Sequence, residues 1–160
     1  MSEALTIRPA EKADFAAIQR LEELEIQHHR QARPDYFKES REGYTRREFR
    51  DLLAQPCPIA WVAEWEGELA GLCFGQIGWT NENELCKSRK VAFIQDLATL
   101  PEFRGRGIGT ALMERARKQA VAEGAQSLEL CVWAFNQGAV ALYQRLGMRT
   151  QYHRMELPLP

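Results

Sequence analysis

From Arg104 to Thr110 the chain reads Arg-Gly-Arg-Gly-Ile-Gly-Thr, with a glycine at every second position. Upstream, Val91–Leu97 has the apolar, β-branched character of a strand, and Pro101 stops the extended run. Downstream, Ile108, Leu112, Ala116 and Ala120 recur at i, i+4 and predict a helix over Ile108–Glu123, with Gly124 in the usual terminal position. The stretch must therefore fold as strand, tight turn and helix. Glycine tolerates positive φ and lets backbone approach a ligand closely. Free N–H groups at a helix start, beside the guanidiniums of Arg104 and Arg106, make an anion site. The expected ligand is a phosphate or diphosphate.

The turn alone leaves its identity open. Gly105, Gly107 and Gly109 fall short of a dinucleotide-binding fingerprint, although Glu129 lies about 20 residues on, where a ribose-binding acid would stand. Only about 50 residues follow the turn, too few for a doubly wound sheet with a substrate domain. No Gly-Lys-Ser/Thr follows either, which sets a P-loop aside.

The other segments predict a single mixed domain over residues 1–160. Leu5–Arg8 is a short strand closed by Pro9. Between Asp14 and Gln31, Ala17, Ile18, Leu21, Leu24 and His28 follow helical spacing, with Glu22, Glu23 and Arg30 elsewhere on the wheel. Thr45-Arg-Arg-Glu48 fits a capping box for a second helix that buries Phe49, Leu52 and Leu53. Ile59–Trp65 and Glu68–Ile77 flank Glu66-Gly67 and read as a hairpin. Trp79–Lys90 is polar and reads as a loop. Ser127–Val132 alternates as a half-buried strand. Asn136 is an N-cap for a helix over Gln137–Leu146 closed by Gly147, and Met148–Leu157 reads as a final strand. The order β, α, α, β, β, β, α, β, α, β describes an α/β (α+β) domain with a largely antiparallel sheet and helices on its faces.

A net charge of −1 argues against a nucleic-acid partner. The charge is uneven: residues 1–70 carry −4 and residues 71–160 carry +3, so the half with the glycine turn is the basic one. Cys57, Cys73, Cys86 and Cys131 lie far apart without a C-x-x-C pair, the usage expected of reduced thiols in a cytoplasmic protein and not of a metal site. No apolar run approaches the ~20 residues of a membrane span, and the opening residues lack a signal-peptide core.

A second constellation accompanies the turn. Arg104–Gly109 fits R-x-x-G-x-G, and Asn136-x-x-Ala139-x-x-x-Tyr143 follows within Phe135–Met148. In this combination the sequence resembles the GCN5-related N-acetyltransferases (GNAT), and among them the small single-domain members. The resemblance spans nearly the whole chain. It implies acetyl transfer from acetyl-CoA to the primary amine of a small molecule or a peptide. Backbone groups of Leu97, Ala98 and Thr99 would border the pantetheine arm. The N–H groups of Arg104, Gly105, Arg106, Gly107, Ile108, Gly109 and Thr110 would hold the diphosphate, and Asn136, Ala139 and Tyr143 would complete the cofactor site. Tyr143 would protonate the departing thiolate, and the Leu97 N–H would serve the oxyanion.

The general base is left open. The position where relatives often carry a carboxylate is Gln95, which is neutral. Asp96 is adjacent but faces away in a regular strand, unless a bulge re-aims it. Glu64, Tyr36, His28, His29 and a water chain are the other candidates. Acceptor recognition is expected from the first helix, the Arg30–Tyr44 connection and the Trp79–Lys90 loop, with Glu22, Glu23, Glu25, Asp35 and Glu39 supplying negative charge. Because Gln95 replaces a carboxylate, a non-catalytic acyl-CoA-binding module is the alternative. A homodimer is expected from the resemblance only.

Overall fold

The computed structural model describes residues 4–39 and 43–160. Strands β1 (Leu5–Pro9), β2 (Pro58–Trp65), β3 (Glu68–Trp79) and β4 (Lys90–Thr99) pair in that order and antiparallel, and β5 (Ser127–Leu130) adds parallel to β4. The β2–β3 turn holds Glu66 at φ 52° and Gly67 at φ 84°, the double positive φ of the hairpin turn whose twist suits two strands.

Helices α1 (Phe15–Ala32) and α2 (Arg46–Leu53) cover one face. The capping box of α2 forms as the sequence requires: the Glu48 N–H donates to Thr45 Oγ1 at 3.2 Å and the Thr45 N–H to Glu48 Oε2 at 2.8 Å. Phe49 of α2 and Phe15 of α1 meet at 5.9 Å between ring centroids, and Phe49 meets Phe74 of β3 at 6.0 Å. Helix α3 (Ile108–Ala122) covers the opposite face with Ile108, Leu112, Met113, Ala116 and Ala120 buried. Helix α4 (Gln137–Arg145) follows β5 and ends at Gly147, φ 86°.

Two expectations change. Along α1, Ala17 and His28 are exposed, while Phe15, Ile18, Leu21 and Glu22 are buried. The inward stripe is thus rotated, and Glu22 belongs to the packed side. The expected strand over Met148–Leu157 does not form: residues 148–160 have no regular structure, and Met155 and Leu157 are 91% and 82% exposed. Alternation supplies a strand's pattern, but a strand also needs an edge to pair with. Residues 40–42 of the Arg30–Tyr44 connection lie outside the described residues.

Candidate functional site

The site begins where β4 and β5 part. They pair from Val91 opposite Ser127 to Ile94 opposite Leu130, and there the ladder ends, while β4 continues to Thr99. Gln95–Thr99 therefore has one edge on β3 and the other open to a cleft. The Leu100 N–H donates to Ala70 O of the β3 side at 2.8 Å. Amide directions alternate along a strand, so the N–H groups of Leu97 and Thr99 face the cleft.

A bulge sits at this point. Ile94 pairs with Gly75 and Asp96 with Phe74, so Gln95 is the extra residue. Gly75 makes the irregularity possible, since a Cβ there would lie 2.1 Å from Phe93 O. Unbroken alternation would put Asp96 on the face of Ile94. The bulge instead turns it to the face of Phe74, under α1 and α2, and leaves Gln95 exposed. There Tyr44 Oη donates to Asp96 Oδ2 at 2.5 Å. Burial raises the Asp96 carboxyl above the usual carboxylate range, against the opposing pull of Tyr44 and His29. Burial and the neighbouring Asp96 also hold the Tyr44 phenol well above its ordinary value.

Leu97 lies on the opposite face, paired with Cys73. Tyr143 of α4 is half-buried on that side. Burial pushes its phenol up to about 12, with Cys73 and Glu25 adding to the rise. A phenol so raised stays protonated at neutral pH and can give a proton to a thiolate. Asn136 caps α4, its Oδ1 accepting from the Ala139 N–H at 3.3 Å.

Beyond Thr99 the chain makes a 3-10 turn over Pro101–Phe103 and reaches the glycine turn. Gly105 and Gly107 hold φ of 75° and 79°, which other residues adopt only with strain, and among the described residues no atom lies within 4 Å of a Cβ built on either. The space above them is open. Gly109 has a different role: a Cβ there would meet Leu142 Cδ2 at 3.1 Å, so it lets α4 approach α3. No side chain caps α3, and its first-turn N–H groups at Ile108, Gly109 and Thr110 have no intrahelical acceptor. This is a cradle for an anion of diphosphate size. The Arg104 N–H is not part of it, because it donates to Pro101 O at 3.2 Å. The Arg104 side chain reaches Thr99 O at 3.3 Å and Glu25 at 3.5 Å. Arg106 stacks over Trp65 and Phe103, at 4.9 and 5.5 Å from the ring centroids.

Of the remaining base candidates, His29 alone acts on Asp96, lowering its carboxyl. Glu64 accepts from Arg8 Nε at 2.8 Å on the far side of the sheet, in β2. His28 and His29 are neighbours on α1, and Tyr36 is on the turn beyond it. Tyr44 and Gly75 are the positions sequence reasoning missed. A glycine inside a strand was the available signal for the bulge. Nothing local marks Tyr44, which reaches Asp96 only through the packing of the helices on the sheet. Among the described residues no group of three or more His, Cys, Asp and Glu is placed to hold a metal ion, and no helix is long and apolar enough to cross a membrane.

Comparison with known proteins agrees with this geometry. An uncharacterized N-acetyltransferase of Methanocaldococcus jannaschii is 35% identical over 112 residues, which is 70% of this chain and 47% of that protein. The chain thus spans about half the length of that relative. YjgM of Escherichia coli, an uncharacterized N-acetyltransferase, is 33% identical over 125 residues, 74% of this chain and 70% of that one. Thialysine N-epsilon-acetyltransferase of Bos taurus is 28% identical over 142 residues, 88% of this chain and 82% of that one. Among solved structures, a mutant form of a Bacillus halodurans protein superposes with a TM-score of 0.90 at 27% identity, covering 97% of this chain and 99% of that one. The family model described as "Acetyltransferase (GNAT) family" matches residues 19–148, which include the glycine turn, the parted strands and the α4 cap. The chain belongs to the GNAT family of acetyltransferases.

Proposed function

We propose that this protein transfers an acetyl group from acetyl-CoA to the primary amine of a small molecule or a peptide by direct attack on the thioester. The observation that carries the reading is the open edge of Gln95–Thr99 beside the empty-faced turn Gly105–Gly107. The diphosphate sits on the N–H groups of the turn and of Ile108–Thr110, with Arg104 and Arg106 near. The pantetheine arm runs along Leu97, Ala98 and Thr99 toward Asn136, Ala139 and Tyr143.

An alkylammonium of pKa near ~10 must lose a proton before it can attack. Asp96 takes that proton. The amine nitrogen then bonds to the carbonyl carbon, and the Leu97 N–H receives the oxyanion. Asp96 passes its proton to solvent and takes the second nitrogen proton as the C–S bond breaks, the thiolate takes the Tyr143 proton, and solvent reprotonates the Tyr143 phenolate. The products are an N-acetylamine and CoA.

Release of free thiol from acetyl-CoA across an amine panel tests this. Turnover with at least one amine is expected, and Tyr143→Phe should lower kcat about 100-fold with little change in acetyl-CoA affinity. Unchanged turnover would take Tyr143 out of the mechanism. Gln95, exposed and neutral at the bulge, favours the second reading, a non-catalytic acyl-CoA-binding module. Tight CoA binding with no thiol release from any amine would support that instead. The four free cysteines suit work in the cytoplasm. The exposed apolar tail suits a homodimer, which sedimentation as a monomer at all concentrations would remove.

A further inference from the structure

Six aromatic rings gather at the open end of the cleft, and none is part of the main core. His28 and His29 end α1, Tyr36 and Phe37 follow on the next turn, and Trp133 and Phe135 lie on the wall that β5 continues into. Trp133 stacks on Phe135 at 5.8 Å and meets Phe37 at 5.7 Å and Tyr36 at 5.0 Å. His29 meets Phe37 at 5.5 Å and Phe135 at 5.7 Å. Trp133 and Phe135 thus stand across the gap from the free edge of β4, and the cluster continues through His29 toward Asp96.

Water-facing rings in such number mark a binding surface more often than a scaffold. Tyr36 is 57% exposed, and Phe37, Trp133 and Phe135 are all only part-buried. The charges around them narrow the occupant. The Arg33 guanidinium lies 5.6 Å from the Tyr36 ring centroid and 5.3 Å from that of Trp133, which takes the cation slot of the cluster. Its Nη2 is 2.7 Å from Asp35 and 3.2 Å from Glu156, so these acids are already matched. A second cation on the acceptor would have to displace Arg33. At the inner end stand the Asp96 carboxyl and Glu25, the latter shared with Arg104 at 3.5 Å, a pairing that leaves room for one ammonium.

We infer that this cluster is the acceptor wall, and that the amine acetylated carries an aromatic or bulky apolar group that stacks on Trp133 and Phe37. The inference rests on the acetyl-transfer reading above and names the substrate class of that same site.

The test compares kcat/KM for thiol release with 2-phenylethylamine, ethanolamine, putrescine and glucosamine. 2-Phenylethylamine should lead by about tenfold or more, the worth of one good ring contact. Trp133→Ala should remove about that factor through KM for 2-phenylethylamine and leave ethanolamine within about twofold; Trp133→Phe should keep the preference, and Tyr36→Ala, at an exposed position, should show a smaller loss of the same kind. Equal loss for every amine, or no lead for 2-phenylethylamine, overturns the acceptor wall while leaving acetyl transfer standing. Calorimetric titration of 2-phenylethylamine into the CoA-loaded protein separates the two ideas. Saturable binding that Trp133→Ala weakens, with no thiol release from any amine, upholds the wall and removes the acetyl-transfer reading.

Discussion

The chain up to Ala120 and the chain after it are built differently. Every buried residue among those described lies at or before Ala120, and from Val121 to Pro160 no residue is buried. Both parts have amphipathic helices. In α3 the apolar stripe is packed on the sheet, whereas in α4 Val140, Leu142 and Tyr143 stay half-covered. The first part closes on itself. The second stands across a gap from β4, and half-covered apolar side chains there leave contact area for a ligand. The difference sets a packed core, with the glycine turn and the free edge of β4 at its rim, against a looser part on the far side of the gap.

The largest effect that sharpens this contrast concerns stability. Phe74→Ala removes a fully buried ring between Tyr44 and Phe49 and should cost about 3–5 kcal/mol, whereas Leu142→Ala in α4 should cost only about 1 kcal/mol. Urea unfolding of the two variants checks it, and equal losses would break the division.

Asp96 lies in the first region where β4 and β5 part, and its substitution should act on rate more than on folding. Asp96→Asn should lower turnover about 100-fold or more if this carboxylate is the base, read by thiol release. Its folded-state pKa is raised, so the folded chain holds that proton longer than the unfolded chain. Asp96 therefore stabilises fully below the ordinary aspartate value of 3.8, and that stability is lost as pH rises from there through the raised folded value. Asp96→Asn should flatten this slope in unfolding curves taken across pH.

A smaller effect, of opposite sign, belongs to the scaffold alone. Asp14 accepts from Arg8 twice at 2.8 Å and from the Glu11 N–H at 2.7 Å, and the Arg8 guanidinium holds its carboxyl below the usual range. Its contribution is present above 3.8 and lost as pH falls through the lowered folded value. Asp14→Asn should cost about 1–2 kcal/mol at neutral pH and leave turnover unchanged. A drop in turnover would tie β1 to the site.

What the sequence discloses follows the range of the interactions that set it. The Thr45–Glu48 box, the Asn136 cap and the glycine turn each depend on residues within a few positions, and all were legible. The place of Asp96 was legible only as conditional on a bulge, because that bulge depends on Gly75 in the neighbouring strand and the partner Tyr44 is 52 residues away. The rotation of the α1 stripe likewise followed from what the sheet offered, and Glu22 turned inward where an apolar wheel left it outside. The missing last strand has the same cause. Alternation over Met148–Leu157 is local, whereas pairing depends on how the tail meets the sheet, and residues 148–160 do not join it although β5 ends the sheet. The ring cluster at the cleft was hidden for a similar reason, since Tyr36 and Trp133 are 97 positions apart in sequence and about 5 Å apart in space.

Amide hydrogen exchange with and without saturating acetyl-CoA tests the central claim most directly. The parted strands, the glycine turn and α4 should gain protection together, at Leu97, Thr99, Ile108–Thr110 and the amides of Asn136–Tyr143, while Ile18 of α1 and Leu72 of β3 stay unchanged. Unchanged exchange at the turn and α4, or protection spread evenly over the scaffold, would contradict it.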